Sequence, residues 1–491
     1  MNIDYSKILT HDATPEAYSM VQTFRSYGYN LETAMSDIID NSISAKAKNI
    51  YIERLWKGGE SYITIKDDGI GMNSDEIIKA MRPGSVNPLE ERSKTDLGRF
   101  GLGLKTASFS QCKRLSVFSK KENYHSAYWT WDLDYIKECK SWQVLNWLPE
   151  EFKDELDKQK TGTLVVWTEL DRILPLDTKD DDISAKMDFS KKMERTKKHI
   201  AMTFHKFMES KKVNIYWCGE LLEPWDPFCR KELKTQFQPD EILNGGVTMK
   251  GYVLPHKNSF SSEEEYDKAE GINGWPAQQG FYVYRGDRLL LAGDWLNLFR
   301  KEEHYKLVRI EINLPNTLDT NWQIDIKKSV AYPPINCIAQ LKSYAKSVRN
   351  KGCEVYRHRG KRLKYISSQN YQPIWEEVKK DDKWSFKINR QHEIVKQAKS
   401  LAKDDPNKAI NILLHFIEET IPTKTIYINE ASSEVQEKNQ FEGVDESIVK
   451  NMIEQIYQNQ INQGRTQEEA KNYIRATEPF QNFEYLIEEL S

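Results

Sequence analysis

The chain has 491 residues, of which 39% are hydrophobic and 30% charged, with a formal net charge of −3. That length is material for about three domains with real cores, and the composition argues against a disordered chain. The near-neutral balance confines any nucleic-acid surface to a local patch.

The six cysteines are scattered and form no C-x-x-C pair, which argues against a zinc module or a disulfide framework and fits a reducing cytoplasm. MNIDYSKILT carries no basic-then-apolar leader pattern and no apolar run approaches a membrane span, so a cytoplasmic location is expected. Residues 1–30 are polar with Tyr18, Phe24, Tyr27 and Tyr29 interspersed, the composition of a flap packed on the domain that follows.

LETAMSDIIDNSISAKA (Leu31 to Ala47) predicts a helix, because Leu31, Ala34, Met35, Ile38 and Ile39 form one apolar stripe. Asp37 and Asn41, four apart, stack on another face with Asp40 beside them. Asn41 offers a neutral carbonyl oxygen suited to Mg²⁺, and Asp37 a carboxylate able to take a proton from water. A solvated helix face is the alternative.

Tyr62 to Lys66 alternates as a strand and feeds the turn Asp67, Asp68, Gly69, Ile70, Gly71, Met72. Gly69 and Gly71 permit close approach of a planar ligand, and a buried Asp67 accepts from an exocyclic amine such as that of adenine. An ordinary strand-end turn is the competing reading. After a polar, lid-like loop (Met81 to Thr95), DLGRFGLGLKTAS places Gly98, Gly101 and Gly103, with Lys105, ahead of a helix over Leu104 to Gln111. Such a loop and helix start cradle phosphates. No βαβ unit surrounds these glycines, which argues against a dinucleotide fold.

Residues 113–170 alternate as strands (RLSVFSK, HSAYWTWDLDY, TGTLVVWTEL), with a charged surface helix expected over Leu148 to Lys160. The sum is an α/β sandwich, a mixed sheet with helices on one face. Asp177 to Asp182 reads as a solvated linker. A long helix is expected from Ser184 to Ser210, with Lys191, Lys192, Lys197 and Lys198 on one face; Lys197, Lys198 and His199 are candidates for phosphate contact, with a solvated face as the plainer reading.

Strand signals return from Val213 to Ser329, interrupted by an acidic loop at Glu263 to Glu270. Pro333 and Pro334 mark a boundary. Beyond it lies the basic stretch 342–364, including Arg357, Arg359, Lys361 and Arg362, with Tyr344, Tyr356 and Tyr365 interleaved. Lysine and arginine release counterions from phosphates and tyrosines stack on bases, while a solvated helix end is the plainer reading. From Glu376 onward the pattern is mostly helical and amphipathic, with one strand at Lys424 to Glu430.

In this order and spacing, the three N-terminal stretches resemble the GHKL ATPase superfamily of gyrase B, MutL, heat-shock chaperones, histidine kinases and MORC proteins. Thr161, Gly162 and Thr163 opening the strand LVVW fit its late Gly-Thr element. DNS (Asp40 to Ser42) and LGRFGLGLKTASFSQ (Leu97 to Gln111) are similar to bacterial MORC-like members. The resemblance implies a Bergerat α/β sandwich over 1–176, a transducer domain over 177–334 and a helical interaction domain over 335–491.

It further implies ATP and Mg²⁺ as cofactors, with Asn41 on the metal, Asp67 on the adenine amine, and Gly98, Gly101, Gly103 and Lys105 at the triphosphate. Gly69, Gly71, Met72, Arg99, Phe100, Leu102 and Thr163 complete the nucleotide-binding set, and Lys327 or Lys328 reaches the γ-phosphate. ATP-driven homodimerisation, with residues 1–30 as an exchanged strap, and closure as a clamp on DNA through Arg357, Arg359, Lys361 and Arg362 are expected. The setting implied is restriction or phage defence beside a nuclease or helicase. One departure stands out: hydrolysing members usually carry Glu where this chain has Asp37, roughly 1.5 Å shorter in reach. Slow hydrolysis, a non-hydrolysing ATP switch and a chaperone-like ATPase all remain open at this point.

Overall fold

The computed structural model describes residues 8–9, 11–84, 103–156, 158–243, 245–315, 318, 322–324 and 331–357. In the C-terminal part it describes 375–380, 383–393, 395–396, 399, 406–419, 421, 441 and 445–490. Two units result, Met1–Tyr356 and Arg357–Ser491.

The first unit opens with α1 (Ala17–Arg25), which buries Ala17, Val21 and Phe24 in the first core. Residues 17–25 are thus a packed helix within the chain's own domain. The helix α2 (Leu31–Ser44) begins at Asn30, whose side chain accepts from the Thr33 amide at 2.8 Å, satisfying one of the free donors at the helix start. Its apolar stripe lies in the same core.

Then come β1 (Asn49–Leu55), β2 (Tyr62–Asp67), α3 (Ser74–Met81) with a reciprocal Asn73–Glu76 capping box, and α4 (Gly103–Phe109). β3 (Arg114–Lys120), β4 (Ala127–Asp132), α5 (Leu133–Cys139) and β5 (Gly162–Thr168) follow. The stretch expected as a surface helix at 148–160 is instead a short turn of 3-10 helix at Glu150–Phe152. Leu148, Phe152 and Leu156 are buried with Phe118, Leu164 and Val166 on the face of the sheet away from α2. Three apolar side chains in nine residues covered a sheet face rather than lining a helix stripe.

α6 (Ile183–Thr203) and α7 (His205–Glu209) replace the single helix expected from Ser184 to Ser210. β6 (Asn214–Trp217) then returns to pair in parallel with β1, and β7 (Glu220–Leu221) closes that edge. The first sheet therefore runs β4-β3-β5-β2-β1-β6-β7, antiparallel except for β1 and β6. β6 and β7, beyond the boundary expected at residue 177, therefore join the first sheet. The reason is nonlocal: β1 offers a free edge that only a later strand can fill.

The second sheet contains β8 (Gln236–Phe237), β9 (Glu241–Leu243), β10 (Val247–Val253), β11 (Gly280–Arg285), β12 (Arg288–Asp294) and β13 (Val308–Leu314). Its order is β12-β11-β13-β10-β8, with β9 also on β10, and β11 and β13 run parallel. Before β11 lies α8 (Glu263–Ala269), where an acidic loop was expected; Ser262 caps it, and three glutamates in its first turn suit the helix dipole. α9 (Ile335–Arg357) lays Leu341, Tyr344, Ala345 and Val348 on the second core.

The unit from Arg357 holds a hairpin of β14 (Trp375–Lys380) and β15 (Lys383–Ile388), which the helical reading missed. WEEVKK and KWSFKI alternate with period two, the signal available in sequence. α10 (Pro406–Glu419), α11 (Glu446–Asn462), α12 (Gln467–Arg475) and α13 (Glu484–Glu488) follow, the last three around Ile453, Ile456, Ile474 and Ile487. Lys424 to Glu430 lies outside the described residues. Among the described residues no helix is long and apolar enough to cross a membrane, and none of the six cysteines forms a disulfide.

Candidate functional site

The described parts of the three motif stretches meet on α2. Its middle turns present Asp37, 4% exposed, while Asn41 one turn later is open to solvent. Oδ2 of Asp37 accepts from the Tyr29 hydroxyl at 2.8 Å. The first residue of α4 lies against the same carboxylate: a Cβ built on Gly103 would stand 3.4 Å from Oδ2. A fixed carboxylate, a solvent-facing amide and a backbone free of side chain are thus neighbours. Tyr29 was read only as a packing aromatic, and no local pattern marks it as a partner of Asp37.

At the C-terminal end of α2, the Ser42 hydroxyl donates to Oδ2 of Asp67 at 2.8 Å, and the Gly69 amide donates to Oδ1 at 2.9 Å. Asp67 ends β2 and is buried. Burial pushes its pKa up, opposed by the Ser42 and Gly69 hydrogen bonds. The Met72 amide donates to Ser119 Oγ at 2.8 Å, and Ser119 shares a 2.9 Å contact with the Thr163 hydroxyl. Ser42 and Ser119 are the site residues that motif reading passed over; only Ser42, next to Asn41, carried a positional hint.

The glycines of the turn also meet a packing requirement. A Cβ on Gly69 would meet the Ala45 carbonyl at 2.8 Å, and one on Gly71 (φ +65°) would meet the Lys120 carbonyl at 1.9 Å. On their Cβ side the room is taken by the chain's own backbone, so the turn is pinned between α2 and β3. Gly162, at the start of β5, is equally constrained, with the Asp67 carbonyl 2.2 Å from its Cβ position.

Lys105 is 2% exposed, and its Nζ donates to the Ala80 carbonyl at 2.8 Å, near the C-terminal end of α3. Burial pushes its pKa down to about 8. Gly98, Arg99, Phe100, Gly101 and Leu102 lie outside the described residues, as do Lys327, Lys328, Arg359, Lys361 and Arg362. Arg357 ends α9, with its side chain undescribed.

Elsewhere, among the described residues, His205, Glu209 and Asp226 are spaced as metal ligands would be. Arg230 stands among them, with Nη2 2.6 Å from Glu209 and Nε 3.0 Å from Asp226, so a guanidinium already supplies the cation.

The donor set on α2 and β2 fits a magnesium nucleotide: an open amide oxygen at Asn41 for the metal and a buried carboxylate at Asp67 for an amine. Residues 29–163 match the family described as histidine kinase-, DNA gyrase B-, and HSP90-like ATPases. Over 95 residues the chain is 28% identical to the ATPase morc-1 of Caenorhabditis elegans, covering 19% of this chain and 11% of that protein. Over 98 residues it is 31% identical to the DNA mismatch repair protein MutL of Thermotoga maritima, covering 19% of each. Over 59 residues it is 44% identical to MutL of Clostridium beijerinckii, 12% of this chain and 9% of that protein. The matched part is less than a fifth of each relative's length.

Proposed function

We propose, from the membership of residues 29–163 in the GHKL ATPases, that this chain binds ATP with Mg²⁺, hydrolyses it slowly and closes as a homodimeric clamp on DNA. The observation that carries the reading is the convergence on α2 of Asp37, Asn41 and, through Ser42, Asp67. Bound Mg²⁺ neutralises phosphate charge and orients the triphosphate. Asn41 supplies the metal's protein ligand, and Asp67 selects the adenine amine. Asp37, oriented by Tyr29, takes the proton of the attacking water.

Gly69, Gly71, Met72, Gly98, Arg99, Phe100, Gly101, Leu102, Gly103, Lys105 and Thr163 complete the nucleotide site in this reading, and Lys327 or Lys328 senses the γ-phosphate. DNA as the substrate is supported by the mismatch-repair relatives' name and by the basic stretch 342–364. The proposal extends to a restriction or phage-defence setting with a separate nuclease or helicase as partner.

The test is phosphate release from Mg²⁺ and ATP, with and without long double-stranded DNA, for wild type and Asp37→Asn, with ATP binding measured alongside. DNA-stimulated release that falls about a hundredfold or more in Asp37→Asn, with ATP still bound, is expected. Binding without release in every condition would replace the enzyme by an ATP-sensing switch. Release stimulated by unfolded protein and indifferent to DNA would replace the clamp by a chaperone-like ATPase.

A further inference from the structure

α2 carries a second row of polar side chains beside Asp37 and Asn41. Glu32, Ser36 and Asp40, spaced four apart, line up along it. Residues distant in sequence hold this row. Glu32 Oε1 accepts from Arg195 Nε at 2.7 Å, and Arg195 also donates to Asn273 at 3.1 Å. The Asp40 carboxylate oxygens lie 3.3 and 3.2 Å from Arg288 Nε.

Arg195 belongs to α6, whereas Arg288 opens β12, the edge strand of the second sheet. The side chains of Arg288 and Asp40 are 4% and 1% exposed. His199, one turn beyond Arg195, is neutral at physiological pH, because burial and then the charges of Arg288 and Arg195 push its pKa down to about 3.

A buried ion pair contributes little net stability over apolar packing, but it tolerates only a narrow geometry, and removing one partner strands the other. Asp40 directly precedes Asn41. In a rigid helix, any rotation that moves Asn41 toward or away from a metal moves the Asp40 carboxylate with it.

We propose that Arg288 is a positioning residue of the nucleotide site: by holding Asp40 it sets the rotation of α2 that presents Asn41, so the second sheet and magnesium-nucleotide binding are coupled. The inference rests on the reading of Asn41 as the metal ligand. Coupling is reciprocal, so nucleotide binding also tightens β12.

The test uses the full chain as wild type, Arg288→Met, Arg288→Lys and Asp40→Asn. Binding of a fluorescent non-hydrolysable ATP analogue is followed as magnesium is titrated, with hydrogen exchange of α2 and β12 amides as the second readout. Arg288→Met and Asp40→Asn are expected to weaken magnesium-supported binding about tenfold. Magnesium-free binding stays within about twofold, and nucleotide-dependent protection of β12 is lost. Arg288→Lys, which keeps the charge and carries the test should Arg288→Met not fold, recovers part of both effects. Wild-type magnesium dependence and β12 protection in Arg288→Met, or in Asp40→Asn, overturn the inference alone. A wild-type chain that binds no nucleotide overturns the reading of Asn41 and the inference together.

Discussion

Asp37 sits with its Oδ2 on the Tyr29 hydroxyl and against the start of α4, so its orientation is set before a ligand arrives. Preorganisation of this kind lets a short side chain act where reach is limiting. Lys105 gives a sharper handle. Its pKa falls from 10.5 in the unfolded chain to about 8 on burial, so between those values the unfolded state binds the extra proton and stability rises with pH. Below about pH 8 the full burden of burying the ammonium is present, up to ~3 kcal/mol. Lys105→Met should therefore be more stable than wild type at pH 7 in urea melts, with the gap closing toward pH 10. A gap that widens with pH would show that the ammonium stabilises the fold. Asp37 and Asn41 were legible because four-residue spacing stacks side chains on any helix. Tyr29 was not, since an aromatic eight residues upstream reads equally well as core.

At the level of elements, the turn from β2 into α3 is tightly constrained by its own chain. Gly71 and Gly84 both have positive φ, +65° and +68°, but among the described residues a Cβ on Gly71 meets backbone while one on Gly84 meets nothing within 4 Å. Gly84→Ala should cost about 1 kcal/mol, the left-handed strain alone. Gly71→Ala should cost at least ~3 kcal/mol, because the Lys120 carbonyl must also move. Equal midpoints for the two variants in urea melts would contradict the packing described. Sequence marked this turn as special through its glycines, while its close approaches to Ala45 and Lys120 are named by no local pattern.

For the whole molecule, the division that matters is between the unit ending at Tyr356 and the one beginning at Arg357. The basic stretch straddles that junction, so neutralising it tests the proposed clamp. Replacing Arg357, Arg359, Lys361 and Arg362 together by Gln should weaken DNA binding and reduce the slope of log affinity against log salt by about three to four. Fluorescence anisotropy at several salt concentrations measures it, and an unchanged slope would remove these residues from the DNA surface. The order of the two sheets was only partly readable. Strand after strand was visible as alternation, yet β6 was assigned to the second layer because nothing in NIYW states that its neighbour is β1.

The sequence by itself determined the local devices: the faces of α2, the Asp-Gly turn after β2 and the glycine cluster ahead of α4. Each is a matter of backbone period and permitted φ over a few residues. The tertiary structure alone decided which distant side chains complete them. Tyr29 reached Asp37, Ser119 reached the Asp67 turn, and Arg288 crossed from the second sheet to Asp40. Partnership over 248 residues is set by how sheets and helices pack, and packing is a property of the whole chain rather than of any window in it.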